Sequence, residues 1–500
     1  MLANARVADT LAEAGHDVTL FEPDFLKLYD KIETSKIAKR VPVFGFSDAL
    51  WTALQGLSGD VFEEKSFYRT ISNNNIYMRA YNEHCEDLLN RDELIAQLRA
   101  EKFDAYFGEQ ISLCGHGLAK AIGINTYFWI SSCPVDDIIS YKLGLPMPAS
   151  YASSLIGYRL PTNPTFFQRM YNVMVSIGYI YFICQTDHDL SLIFKKKFGS
   201  DFPDLGEIAA DSDLLFVMTD EFLEVQKPLM PNFIHVGGLE PENEKDSQML
   251  DEKTSKEVEK GKNGIVYFSL GTTMNSSMLQ PFVMKTVMET VKQFPDYHFI
   301  VKVDGHDPNA WKYSKNIENV FVTDWVAQRA LLKHPRIRAF ITHSGYNGMV
   351  EAALAGIPLV TIPFMFDQTR NSLAVEQAGW GLGIAKETLR DDPKMLGQAL
   401  KEVLENEKYK KMAVRLKSLI KTKPFKAKER LVKYTEFVLD NGGMKELIAP
   451  SRHLSIIKLY NLDVYAFLIT IVMLIIYVLI KLTTVLLFSF SSTKQKLKAQ

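Results

Sequence analysis

Short, continuously apolar runs recur along the whole chain, at residues 16–21, 105–107, 125–129, 214–218, 264–269, 298–303, 320–323, 339–342 and 358–362. They do not alternate polar with apolar, so each suits a strand covered on both faces, as in a parallel sheet. Helix-like stretches separate one run from the next, and that alternation makes the fold class α/β with parallel sheets. At 47% apolar and 23% charged, the 500-residue chain can bury sizeable cores. Its length suits about three domains of roughly 150 residues, or fewer larger ones.

Residues 241–262 are polar with no strong apolar stripe, and residues 228–238, PLMPNFIHVGG, read as a connection crossing between two halves. The expected division is a first domain over 1–230, a second over 235–430, a helix and linker over 431–463, a membrane helix over 464–480 and a tail over 481–500. Residues 409–434 are lysine-rich and expected to form a solvated helical face, with a membrane-surface patch as the alternative. Residues 166–184 are apolar but interrupted by Arg169, Asn172 and Ser176. That suits a buried helix, with shallow membrane contact as the alternative.

Residues 464–480 carry no charge and no proline, which is just enough helix to span a bilayer's hydrocarbon core, with Lys481 able to snorkel. The tail then carries Lys481, Lys494, Lys496 and Lys498 with no acid, so it is expected on the cytoplasmic side. Lys496-Leu-Lys498-Ala-Gln500 fits the dilysine pattern of endoplasmic-reticulum retrieval. A net charge of −2 argues against a nucleic-acid partner. Four cysteines are too few for a disulfide framework. Cys85 and Cys114 could pair in an oxidising lumen, but free buried thiols are the expectation. The first residues read as a helix from about Ala5, a stop at Gly15 and a strand, not as a signal peptide. The sequence is therefore expected to lack its true N-terminus.

The chemistry concentrates between residues 321 and 368. Residues 339–343 form a strand, 344–348 a tight turn, and 347–355 a helix. Such a strand–turn–helix presents unpaired backbone N–H groups and the positive end of a helix dipole to an anion. His343 sits at the carboxyl end of the strand, where open α/β sheets bind ligands, and can donate to a phosphate oxygen. Gly345 and Gly348 allow close backbone approach. Glu351 lies one turn beyond Asn347 on the same helix face and can accept from a ribose diol. Trp325 offers an indole to stack on a flat base. Asp367 and Gln368, after another strand, suit sugar hydroxyls.

The whole stretch resembles the signature of the UDP-glycosyltransferase family, in its membrane-bound glucuronosyltransferase branch. The matching residues are Trp325, Gln328, His334-Pro335, FITHSGYNG, Glu351, Gly356-Ile-Pro358, Pro363 and Asp367-Gln368. GHDVT at 15–19, KFDAYFGE at 102–109, PNFIHVGGL at 231–239, IVYFSLGT at 265–272 and LDVYAFL at 462–468 look like further family landmarks. The resemblance implies a GT-B fold of two Rossmann-like domains, with the donor bound mainly to the second. Trp325 would stack on uracil and Gln328 bond the uridine, while His343, Asn347 and the amides of 344–348 hold the pyrophosphate. Glu351 would take the ribose, and Asp367 with Gln368 the transferred sugar. Ser269, Gly271 and Thr272 would touch phosphate from a second turn.

The reaction implied is inverting transfer from a UDP-sugar co-substrate to hydroxyls of small lipophilic acceptors, as in detoxification, with no cofactor and no metal. Homo- or hetero-oligomers are compatible with it. The carboxylate that orients the family's catalytic histidine falls at Glu109, one methylene longer than the usual Asp. The histidine itself belongs to a strand and loop preceding the first helix, which the sequence does not contain. His116 and His84 are expected to be structural, with His116 facing a helix start. A catalytically impaired UDP-sugar-binding partner is the competing function. Glucuronate and glucose both remain donors, since residues 214–226 hold no Lys or Arg and Lys302 is expected to face solvent. Asn275-Ser-Ser277 is the only N-glycosylation sequon, and its occupancy is not assumed.

Overall fold

A computed structural model describes residues 2–26, 29, 34–53, 61–62, 67–155, 157, 160–239, 249–271, 274, 276–305 and 307–497. Thr272 and the sequon residue Asn275 lie outside the described residues. Among the described residues, three parallel sheets carry the chain. β1 (Thr19–Pro23) pairs with β2 (Lys39–Val43). β3 (Ala105–Glu109), β4 (Thr126–Ser131), β5 (Leu214–Val217) and β6 (Phe233–His235) form a four-stranded sheet in sequence order. A six-stranded sheet runs β12-β11-β10-β7-β8-β9. Its strands are β7 (Gly264–Ser269), β8 (Tyr297–Lys302), β9 (Val320–Thr323), β10 (Ile337–Thr342), β11 (Leu359–Thr361) and β12 (Gly381–Gly383).

The continuous apolar runs follow from coverage on both faces. In β7, Val266 and Phe268 join one buried cluster while Ile265 and Tyr267 join the other. β8 divides likewise, Phe299 and Val301 against Ile300. In the four-stranded sheet, Phe128, Ile130, Leu214 and Phe216 share a core with Val7 and Leu11 of the first helix, Leu2–Glu13. Leu431 and Val438 of helix Ala427–Asn441 complete that core.

Several sequence expectations change. The division at 230–235 falls too early, because β6 pairs with β5 through Leu215 and Phe233 and so belongs to the first sheet. Helix Ala427–Asn441, expected to straddle the second domain and a linker, also packs on the first sheet. Met1–Lys142 and Pro146–Ile448 form one compact unit, and Leu143–Leu145 with Ala449–Gln500 form another. β2 carries Lys39, Arg40 and Pro42, and β12 is Gly-Leu-Gly, so neither contains the apolar run that marks a strand.

Helix Phe166–Phe198 opens on a capping box between Thr165 and Gln168. It is buried on one face only. Phe166, Phe167, Met170, Val173, Met174, Ile177 and Tyr181 are exposed, while the polar Asn172 and Ser176 point inward. Asn172 donates to the carbonyls of Ala149 and Ala152, each at 2.8 Å, and accepts from the Ser154 amide at 2.9 Å. Its amide therefore organises the loop beneath the helix.

Cys85 and Cys114 form a disulfide, with Cα atoms 5.9 Å apart, contrary to the expectation of free thiols. The pair clasps helix Phe67–Leu89 to helix Cys114–Ile122, which a separation of 29 residues does not reveal. Cys133 and Cys184 are free.

In the second unit, one helix runs Leu462–Leu497. Its segment Leu462–Leu487 has a mean hydropathy of 2.6, is wholly unburied and is long and apolar enough to cross a membrane. The helix continues through Lys481 instead of ending at 480, so the tail begins as helix.

Candidate functional site

β7 is flanked by β8 on one side and β10 on the other, so the chain leaves these adjacent strands in opposite directions. That point of reversal opens a crevice at the carboxyl ends of a parallel sheet, where ligands bind. Two turns meet there: Leu270-Gly271 after β7, and His343-Ser344-Gly345 after β10. Gly345 is the N-cap of helix Tyr346–Ala355.

The second turn is tightly held. Ser344 adopts a left-handed backbone with φ of 63°. Its hydroxyl donates to the Gln368 carbonyl at 2.9 Å, and Asn371 Nδ2 donates to its carbonyl at 3.0 Å. The His343 ring lies between two glycines. A Cβ added to Gly271 would sit 2.7 Å from its Cε1, and one added to Gly345 would sit 2.3 Å from its Nε2. Both positions therefore require glycine. Gly348 does not, since a Cβ there would meet only ordinary contacts, the nearest at 3.6 Å.

Burial, then the nearby Lys302, pushes the His343 pKa down to about 4, so its ring is neutral at pH 7. Lys302 ends β8 opposite Ser269 and donates through Nζ to the Gly271 carbonyl at 2.8 Å. It does not simply face solvent, and burial holds its pKa below the ordinary lysine value. The sheet register, invisible in the sequence, brings this cation to the first turn. Ser269 is itself buried, and its hydroxyl accepts from the Gly271 amide at 3.1 Å. It shapes the turn.

Toward β9, Trp325 is 64% exposed, with Thr323 Oγ1 donating to its carbonyl at 2.8 Å. Helix Gln328–Lys333 follows directly. Gln328 accepts from Tyr267 Oη at 3.0 Å and donates to Glu351 Oε2 at 2.6 Å. Glu351 also accepts from Arg329 Nε at 3.0 Å. Gln328 and Glu351 are thus brought together as a pair, with an arginine that the motif does not include. Asn347 accepts from Arg6 Nη1 at 3.5 Å, a residue of the first half that sequence reasoning missed.

At the other end of the crevice, Asp367 is the N-cap of helix Gln368–Gln377. Burial raises its pKa to about 6, against the opposing bond from Asn371 Nδ2 at 2.7 Å. Gln368 Oε1 accepts from the amides of Phe364 and Met365, at 2.9 and 3.1 Å. Its carbonyl end is therefore committed to the turn, and its NH2 is the end suited to an outside oxygen.

Glu109 ends β3 and accepts from the amides of Gln110 at 2.9 Å and Ser132 at 3.3 Å. Burial outweighs these bonds and raises its pKa. Burial pushes the Cys133 thiol well up, and the charges of Asp367, Glu109 and Asp136 push it further. Carboxylates from both halves therefore converge around one thiol. His116 is fully buried, neither ring nitrogen has a hydrogen-bond partner among the described residues, and the rings of Tyr106 and Trp129 lie 5.2 and 5.5 Å away. Burial, with the charge of Lys142, lowers its pKa to about 3. His84 bonds the Ser47 carbonyl at 3.2 Å. Among the described residues no group of three or more His, Cys, Asp or Glu could hold a metal ion.

The sequence profile described as UDP-glucoronosyl and UDP-glucosyl transferase matches residues 1–497. The Caenorhabditis elegans protein ugt-48, which carries a UDP-glucuronosyltransferase name, is 45% identical over 473 residues, covering 93% of this chain and 88% of its own length. UDP-glucuronosyltransferase 1-2 of Rattus norvegicus is 29% identical over 435 residues, covering 83% and 75%. Among solved structures, Os79 from O. sativa in complex with UDP superposes with a TM-score of 0.61 at 15% identity, covering 88% of this chain and 98% of that one. The glycotransferase of kitacinnamycin superposes at 0.56 and 17% identity, covering 87% and 94%. These likenesses establish the fold, the GT-B arrangement of two parallel-sheet halves.

Proposed function

Because the chain belongs to the UDP-glucuronosyl and UDP-glucosyl transferase family, we propose that it transfers glucuronate or glucose from the UDP-sugar to hydroxyls of small lipophilic acceptors, as a detoxifying enzyme. The observation that carries this reading is the switch-point crevice, where His343 is seated between Gly271 and Gly345 at the start of a helix. Os79, which shares the fold, was crystallised with UDP.

A departing diphosphate needs fixed positive potential without reorganisation. Helix Tyr346–Ala355 supplies unpaired N–H groups at its start, the neutral His343 supplies a ring N–H, and Lys302 brings its Nζ donor beside Gly271. Trp325 would stack on the base, and Gln328 and Glu351 would read uridine and ribose. Asp367 and the Gln368 NH2 would hold the sugar. Attack of the acceptor oxygen on the anomeric carbon, opposite the leaving UDP, inverts that centre. Glu109 would orient the base that takes the acceptor's proton.

Leu462–Leu487 would anchor the protein in the endoplasmic-reticulum membrane as a single span, with the body in the lumen and the lysine-rich tail in the cytoplasm. The Cys85–Cys114 disulfide favours that oxidising side.

The test uses the full chain in lipid nanodiscs, incubated with UDP-glucose or UDP-glucuronate and a panel of phenols. The account expects a β-configured glycoside, identified by its anomeric proton resonance. Retained UDP binding with no glycoside from either donor would favour a non-catalytic binding role instead.

A further inference from the structure

Helix Gln368–Gln377 carries more than the two sugar residues at its start. One turn in, Arg370 is 2% exposed and donates hydrogen bonds into the other half of the molecule. Its Nε donates to the Ser153 carbonyl at 2.9 Å, its Nη1 to the Val135 carbonyl at 2.9 Å, and its Nη2 to Asp137 Oδ1 at 2.6 Å. Lys227 Nζ reaches the same Val135 carbonyl at 2.5 Å. Leu373 and Ala374, on the next turn, pack against Ala152, Leu160 and Val225. The helix is therefore seated on the acceptor-side half by a planar fork with an apolar patch beside it.

The same helix is tied to the donor side. Asn371 donates to both the Asp367 carboxylate at 2.7 Å and the Ser344 carbonyl at 3.0 Å, while Ser344 donates back to the Gln368 carbonyl at 2.9 Å. The helix thus links the phosphate turn, which it bonds through Asn371 and Gln368, to residues 135–153, which it bonds through Arg370. A helix turn is stiff, so displacing Arg370 displaces Asp367 and Gln368. A guanidinium suits this task because its rigid fork serves two carbonyls and a carboxylate at fixed angles, which a lysine ammonium cannot.

We propose that Arg370, paired with Asp137, is a positioning residue that registers the sugar-holding end of the donor site against the acceptor half. The inference rests on the donor-site reading above. Under it, UDP binding, made by the turns after β7 and β10, does not need Arg370, whereas recognition and transfer of the sugar do. A misplacement of about 1 Å at a reacting centre can cost on the order of a hundredfold in rate.

The experiment compares wild type, Arg370→Lys and Asp137→Asn as full chains in nanodiscs. Calorimetry with UDP and with UDP-glucose gives each protein's affinity ratio for the two ligands, and turnover with a phenol gives kcat and KM. The expected result is UDP affinity within about threefold of wild type in both variants, with kcat at least about thirtyfold lower. The UDP-glucose to UDP affinity ratio should shift by about tenfold. A folded Arg370→Lys with wild-type kcat and affinity ratio overturns the proposal. So does loss of UDP affinity in step with kcat, because that would make Arg370 a general support of the fold. A wild type that binds no UDP would instead refute the donor-site reading itself.

Discussion

Replacing His343 with alanine should weaken UDP binding far more than it weakens the fold. The neutral imidazole can donate one hydrogen bond to a charged diphosphate oxygen, a class of bond worth about 1.5–3 kcal/mol. At about 1.4 kcal/mol per decade, that loss is roughly a tenfold to hundredfold rise in Kd. The ring is held by Gly271 and Gly345, not by a hydrophobic core, so the cost in stability should stay within about 1–3 kcal/mol. Calorimetric titration of UDP into wild type and His343→Ala, with thermal melts of both ligand-free proteins, separates the two effects. The pH dependence discriminates further. With a pKa pushed down to about 4, His343 carries no charge between pH 6 and 8. The ratio of wild-type to variant affinity should therefore be flat across that range. A folded variant with UDP affinity within about twofold of wild type would refute the reasoning. A ratio climbing steeply from pH 8 to 6 would refute the neutral assignment.

Asp367→Asn should lower affinity for UDP-glucose more than for UDP. Because burial raises the Asp367 pKa to about 6, the wild-type preference for UDP-glucose should fade as pH drops through 6. Equal losses for both ligands would contradict its assignment to the sugar. His116→Leu should flatten the acid side of the stability curve. The unfolded chain binds a proton at this position below about pH 6.5, while the native ring resists it down to about 3, so wild-type stability falls with acidity by about 1.4 kcal/mol per pH unit across that window. Parallel denaturant-derived curves for the two proteins from pH 6.5 to 5 would contradict it. The double variant Cys85→Ser/Cys114→Ser should lose about 3–4 kcal/mol for a loop of this length, measured by denaturant unfolding. A loss below about 1 kcal/mol would show that the bridge constrains little.

The strands were legible wherever burial on both faces wrote a continuous apolar run, as in β7 and β8, and illegible where it did not. β12 is two glycines around a leucine, and β2 is half polar, so pairing, not side-chain character, makes them strands. The turn after β10 was legible because its glycine falls between a continuous apolar strand and a helix, where the His343 ring leaves no room for a Cβ at Gly345. What surrounds it was not. Lys302 reaches Gly271 only through the register of β7 with β8, and Arg6 reaches Asn347 only by folding. Arg370 sits three residues from Asp367, but its meaning depends on Asp137, more than two hundred positions away. The apolar stretch at 166–184 read as a buried helix, but only one face of helix Phe166–Phe198 is buried, and Asn172 is turned inward because a loop's carbonyls need its amide.

The account depends on a uridine diphosphate site at the junction of β7, β8 and β10, and hydrogen exchange reports on it residue by residue. The full chain in nanodiscs, saturated with UDP and separately with ADP, should show slowed exchange at amides 269–271 and 343–351 with UDP and little change with ADP. Protection absent from both segments, or equal for the two nucleotides, would contradict it.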